Sequence, residues 1–298
     1  GNIVGTIYEN LGVVHLEKGD YDLAISYYKR SLILLRNYFR VKMKNRVSYY
    51  SREAKVNQFI AEAYRKSKQY DKSKYHLSKA LKIFKENSNT HESYLFYCLL
   101  EMVDLAFVSH DLQDAKSILS ELEDFNINSD RQKVQYLFRQ GLYSKEIGDY
   151  SEATKLLVQA KNNCNTLSLG DQADIHKLLI DVCLKTNDEV LATEIYHDFY
   201  KQLSSMDSRI HAQELFDLNK QYLNGLIEMD KVDYFDKIKD ALERHLKLSK
   251  FVISEIVSNK DRNVFLKIIK IDNEKYLNHL HDLGQTKNQK AIHSLAFA

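Results

Sequence analysis

Residues 8–34 read YENLGVVHLEKGDYDLAISYYKRSLIL, and the fold follows from how this stretch divides. Tyr8, Leu11, Gly12 and His15 recur at the three-to-four-residue spacing of a single helix face. Gly19-Asp20-Tyr21 supplies a turn, because Gly tolerates the left-handed backbone and Asp can cap a new helix. Ala24, Tyr28 and Ser31 then mark one face of a second helix. The small residues Gly12, Ala24 and Ser31 let the two antiparallel helices approach closely, while Tyr8, Leu11, Tyr21 and Tyr28 fill the space around them.

The same arrangement recurs along the chain. A second copy carries Ile60, Ala61, Tyr64, Tyr70, Ser73, Leu77 and Ala80. A third, more divergent, has Met102, Val103 and Ala106, a His110-Asp111-Leu112 turn, then Ala115, Leu119 and Leu122. The fourth has Gly141, Gly148-Asp149-Tyr150, Ala153, Leu157 and Ala160. The fifth has Leu179, Ile180, Cys183, Asn187-Asp188-Glu189, Ala192, Tyr196 and Phe199. Successive turns lie 49, 42, 38 and 39 residues apart.

This pattern resembles the tetratricopeptide repeat (TPR), a helix-turn-helix unit of about 34 residues. The longer spacings here predict extended second helices or longer loops. The resemblance implies an all-α, TPR-like right-handed superhelical solenoid of antiparallel helix pairs, with about five divergent repeats over residues 1–205. Each unit exposes an apolar face that only its neighbour covers. It also implies a concave groove lined by the first helix of each pair, suited to an extended peptide or a partner's helix. Mapped onto this chain, the groove positions are Lys55, Gln58, Glu62 and Arg65 in the second copy and Asp104 and Phe107 in the third. The fourth adds Gln135, Phe138 and Lys145, and the fifth Lys177 and Asp181. The Lys/Asn clamp by which chaperone-binding members hold a terminal carboxylate is not reproduced.

Composition agrees with an all-helical chain. Pro is absent and Gly numbers 9 in 298 residues, and no run reads as a period-2 strand between turn residues. Three scattered cysteines, Cys98, Cys164 and Cys183, predict free thiols in a reducing compartment. No apolar run approaches the roughly 18 residues that span a bilayer, so no membrane association is expected.

Net charge is +2 but unevenly distributed. From Arg36 to Lys85, 15 Lys or Arg face Glu53, Glu62 and Asp71; from Glu86 to Asp130, ten acids face Lys116 alone. Such polarity either steers an anionic partner, drives end-to-end association, or belongs to solvated outer faces. Arg36–Arg52 is the extreme case, with Arg36, Arg40, Lys42, Lys44, Arg46 and Arg52 interleaved with Tyr38, Phe39, Tyr49 and Tyr50. Single-stranded nucleic acid or a phosphorylated ligand favours that mixture. Helical spacing alone also produces it, so the expectation is an extended helix with aromatics inward and cations in water.

Beyond Leu203 the repeat signature fades, and residues 206–283 read as three further helices. These are Ile210–Met229, Tyr234–Val257 and a set from Val264 through Ile268, Ile271, Tyr276 and Leu280 to Leu283. They are expected to cap the solenoid or to pair with a second chain as a homodimer. Residues 284–298 end in AIHSLAFA without a polar tail or a Gly cap. Ile292, Leu295 and Ala296 resemble the short lead-in to a bacterial GGDEF diguanylate cyclase domain. That resemblance implies a cytoplasmic signal-input module whose output domain, producing cyclic di-GMP, follows Ala298.

No motif in the chain calls for catalysis or a cofactor. His91-Glu92 opens a zinc-protease-like string that fails at Leu95, and His279 and His281 point to different helix faces. No glycine-rich phosphate loop or nucleophile elbow occurs, and the Gly-Gly-Asp-Glu-Phe signature is absent. The chain is therefore expected to be a non-catalytic binding module. One reading couples peptide or protein binding to an attached cyclase. The other resembles the peptide-sensing TPR regulators of Gram-positive bacteria.

Overall fold

A short turn, repeated five times, sets the architecture. The computed structural model describes residues 3–42, 46–86, 88–125, 127, 129–205, 212–229, 234–255 and 259–285. In each repeat the first helix ends on a left-handed residue: Gly19 (φ 78°), Lys68 (61°), His110 (58°), Gly148 (83°) and Asn187 (59°). The next residue donates its N–H to the carbonyl five positions back, closing Asp20–His15, Gln69–Tyr64, Asp111–Ala106, Asp149–Ser144 and Asp188–Cys183 at 2.8–2.9 Å. This double-bonded ending satisfies carbonyls that a helix terminus otherwise orphans. The same residue opens the next helix: its carbonyl accepts from Ala24, Ser73, Ala115, Ala153 and Ala192 respectively, all wholly buried. In three copies the Asp side chain also caps, with Asp111, Asp149 and Asp188 accepting from the N–H groups of Asp114, Glu152 and Leu191.

Thirteen α-helices result among the described residues, and no strand. Contacts divide the chain into two units, Gly1–Ile127 and Asn128–Ala298. The first unit holds α1 (Ile3–Glu17), α2 (Tyr21–Lys42), α3 (Arg46–Lys66), α4 (Tyr70–Glu86), α5 (Ser88–Val108) and α6 (Leu112–Glu123). The second holds α7 (Asp130–Glu146), α8 (Tyr150–Asn162), α9 (Leu169–Lys185), α10 (Glu189–Ser204), α11 (Ala212–Glu228), α12 (Phe235–Glu255) and α13 (Asn259–Gln285).

Small residues fix the approach of paired helices. A Cβ on Gly12 would strike the Tyr28 ring, and one on Gly141 would meet Leu157 Cγ at 2.7 Å. In the first unit Leu16, Ala24, Ile25, Tyr28, Ile60 and Ala63 form one cluster shared by α1, α2 and α3. Each pair therefore completes its core only with its successor.

The unusual spacing between the first two turns is taken up by helix length. α2 runs 22 residues and α3 21, against 15 for α1, so their far ends project past α1. That corrects one expectation for Arg36–Arg52: Tyr38 and Tyr50 are exposed rather than packed inward. Nor do the end cations simply face water. Arg36 pairs with Glu53 at 2.9 Å and Arg52 with Glu9 at 3.0 Å. The side chains of Phe39, Arg40, Lys42, Lys44 and Arg46 lie outside the described residues.

In the second unit one core runs from Ala153 through Leu203 and Leu215 to Leu283. α11 lies against α9, and α12 pairs with α11. Tyr196 stacks on Tyr222 with ring centroids 4.2 Å apart, and its hydroxyl donates to Asn219 at 2.6 Å. The Asn219 amide donates in turn to the carbonyl of Ala241 at 3.0 Å, so every member of this buried network is bonded. The three C-terminal helices match the periodic stretches expected, with α13 longer at its N-terminal end. The side chains of Phe251, Ile256, Val264 and Ile268 lie outside the described residues. No described helix is long and apolar enough to cross a membrane.

Candidate functional site

Polar side chains on the first helices form cross-helix rungs within each unit. In the second unit Lys145 on α7 lies 2.8 Å from Asp181 on α9. Gln221 on α11 donates to the other Asp181 oxygen at 3.2 Å. Lys185, one turn along α9, adds a cation at 3.8 Å. Lys145 and Asp181 are about four-fifths shielded from solvent, at 21% and 16% exposure, so this rung is stronger than a surface ion pair and still reachable. Beside it Lys177 pairs with Asp174 within α9 at 2.7 Å. Burial pushes the Asp217 carboxyl on α11 above its ordinary range, against the Gln213 hydrogen bond and the cations Lys177 and Lys220. Lys220 in turn pairs with Asp272 on α13.

The first unit repeats the device. Arg65 on α3 pairs with Glu101 on α5 at 3.3 Å, while Glu62 pairs with Lys66 along α3 at 3.1 Å. Lys55 is exposed, with Nζ 5.6 Å from the Phe59 ring centroid. Gln58, Asp104 and Phe107 are half-buried.

The groove residues expected from sequence thus fall into two sets, one per unit. The structure brings Lys145 and Asp181 together and joins Asp181 further to Gln221 on α11. It places Phe138 against the core and leaves Gln135 half-buried on α7. Glu9, Arg52, Glu101, Asp217, Lys220, Gln221 and Asp272 were not among the expected residues. Spacing could have found Glu101, one turn before Asp104 on α5. Gln221 needed α11 to be read as another first helix, although the repeat signature fades before it. A Cβ on Gly225 would collide with Leu184 of α9, so this glycine sets the approach of α11 to α9, whereas Gly12 and Gly141 face the second helix of their own pair.

A family model described as tetratricopeptide repeat matches residues 7–39. No curated protein matches the chain. Among solved structures, the Rap conjugation gene regulator of plasmid pLS20 in complex with the Phr* peptide is similar at TM-score 0.58 and 16% identity, over 93% of this chain and 75% of that one. Aspartyl phosphate phosphatase F from Bacillus subtilis gives 0.57 and 18%, over 97% and 73%. The apo quorum sensor NprR from B. thuringiensis gives 0.55 and 16%, over 93% and 75%. At such identities the likeness shows the fold alone. That fold is all-α and built of TPR-like helical repeats.

Other candidate chemistry is weak. Cys98, Cys164 and Cys183 are free and buried. Burial pushes the Cys98 and Cys183 thiols up to about 12 and raises that of Cys164, so none is held as a reactive thiolate. The side chain of His91 and the lead-in residues Ile292, Leu295 and Ala296 lie outside the described residues.

Proposed function

We propose that this chain is a non-catalytic receptor for an extended peptide, or an extended segment of a protein, bound along the first-helix faces of α7, α9 and α11. The observation that carries this reading is the rung Lys145–Asp181–Gln221. It offers a cation, a carboxylate and a side-chain amide in one row, partly shielded from water. An extended peptide presents alternating N–H and C=O groups and spaced charges, and such a row can exchange its internal partners for them one by one. Exchange costs little because each group keeps a partner throughout, whereas a fully desolvated pair resists it. The solved Rap regulator of the same fold, which holds the Phr* peptide, supports a peptide rather than a small molecule as ligand.

The test is selection from a random heptapeptide display library against the intact chain. Selected peptides should bind the native chain and lose about tenfold or more in affinity on Asp181→Asn or Lys177→Ala. Lys177 is a useful second position, because its ion pair stays within α9 and its loss leaves helix packing intact. Absence of any sequence-selected peptide, or binding to both variants as tight as to the native chain, contradicts the proposal.

A second reading makes this receptor the input of a diguanylate cyclase, favoured by Ile292, Leu295 and Ala296. Coupling requires a ligand affinity that differs between two states of the module. Its test is the coding sequence after Ala298: an Asp-x-Leu-Thr-Gly-like opening supports it, and any other continuation ends it.

A further inference from the structure

We propose that a cleft between α2 and α4, on the second-helix side of the first unit, binds a small phosphorylated molecule. Its phosphate would sit among Lys29, Arg30 and Lys72, with its organic part against Ile33 and Tyr64. The cleft is an open one of about 430 Å³, large enough for a small ligand held mainly by its charge.

Part of the positive charge in residues 36–85 is already answered inside the unit. Arg36, Arg65, Lys74 and Lys85 pair with Glu53, Glu101, Asp114 and Glu121. Lys29, Arg30 and Lys72 differ. Among the described residues none of them has a carboxylate partner, and the cleft they line contains one acid, Asp22. Lys29 donates to the Tyr64 hydroxyl at 2.9 Å, Lys72 to Gln69 Oε1 at 2.7 Å. Both ammonium groups stand 5.5 Å from the Tyr64 ring centroid, so two cations converge on one aromatic wall.

The cleft is also where the repeat departs from its own rule. Asp20, Asp111, Asp149 and Asp188 begin the second helix in four repeats, and Gln69 stands in that place in the remaining one. A carboxylate here would neutralise Lys72. Gln69 instead offers an amide and leaves the cation available. A phosphate answers Lys29 and Lys72, which converge on Tyr64, with Arg30 at the rim of the same cleft and its guanidinium 5.7 Å from the Tyr27 ring centroid; the hydroxyl of Ser26 on the same wall can donate to it. Ile33, 57% exposed, supplies apolar surface that inorganic ions alone would not use.

The experiment is isothermal titration of the intact chain at low ionic strength with inorganic pyrophosphate, AMP and ribose 5-phosphate. At least one should bind with a Kd in the micromolar-to-millimolar range, about the strength of a few charge-assisted hydrogen bonds. Tighter binding of AMP would assign the apolar wall to a base, and equal binding would assign recognition to the phosphate. Arg30→Gln and the double variant Lys29→Gln/Lys72→Gln should each weaken binding about tenfold or more. Gln69→Asp should do so too while folding normally, because four sibling turns already carry Asp. No heat from any of the three probes, or unchanged affinity in Gln69→Asp and the double variant, overturns the proposal. Neither result bears on Lys177 and Asp181, so this cleft and the peptide face fail separately.

Discussion

Lys85 Nζ lies 2.7 Å from Glu121 Oε1, and that pair is one of three that, among the described residues, join the second helix pair to the third. Arg65–Glu101 and Lys74–Asp114 are the others, both at 3.3 Å. The basic block from Arg36 to Lys85 thus meets the acidic block from Glu86 to Asp130 inside one unit. Charge polarity that suggests an external partner in the sequence serves here to match neighbours. Lys85→Glu should cost about 0.5 kcal/mol in urea unfolding, as exposed pairs are individually weak. Lys85→Glu/Glu121→Lys should recover most of that loss, and molar salt should erase the difference. A double variant no more stable than the sum of its parts would refute the pairing.

The glycines separate two physical roles. Gly225→Ala should destabilise by about 1–3 kcal/mol, because the added methyl meets Leu184 in a packed core. Gly19→Ala meets nothing within 4 Å but sits at φ 78°, so it should cost about 1–2 kcal/mol through backbone strain alone. Adding Leu184→Ala should rescue part of the first loss and none of the second, read by thermal unfolding of each variant.

The second turn carries one departure from the repeat, Gln69 where the other four have Asp, beside a left-handed Lys68 where Gly19 and Gly148 avoid the strain of a side chain. Lys68→Gly and Gln69→Asp should each raise stability by about 0.5–1 kcal/mol. No gain from Gln69→Asp would mean that α4 does not begin as the other second helices do.

Buried histidines predict acid sensitivity. Desolvation lowers His176 and His245 to about 4. His176 stacks on Phe199 with centroids 3.9 Å apart and bonds the Gln172 carbonyl. His245 lies between Phe216 and Tyr276 with neither ring nitrogen bonded. Asp272 pulls its titration up and Lys220 pushes it down. In the unfolded chain both histidines titrate near 6.5, so between about 6.5 and 4 the unfolded state binds more protons. Stability should hold above about pH 6.5 and fall as pH drops towards 4, by on the order of 3 kcal/mol for each residue. His245→Phe should remove part of that slope and leave pH 7 stability unchanged or higher; an unchanged slope would count against the assignment.

Much of this was legible in residues and spacing. Tyr21, Tyr70, Leu112, Tyr150 and Glu189 each begin a second helix, because Gly, Asn and Asp write turn geometry locally. Partners were not legible. Glu101 meets Arg65, and Gln221 meets Asp181, through packing between repeats, which no local signal carries. Tyr38 and Tyr50 look like core aromatics by period, yet both are exposed, since period tells which face a residue shares and not what packs on that face. Gln69 reads as an ordinary polar residue until five superimposable turns show that Asp belongs there.

The receptor role of α7, α9 and α11 is tested most directly by amide hydrogen exchange on the intact chain, with and without a library-selected heptapeptide. Binding should slow exchange in these three helices around Lys145, Asp181 and Gln221, and Asp181→Asn should abolish the effect. Slowing confined to other helices, or the same slowing in Asp181→Asn, would contradict it.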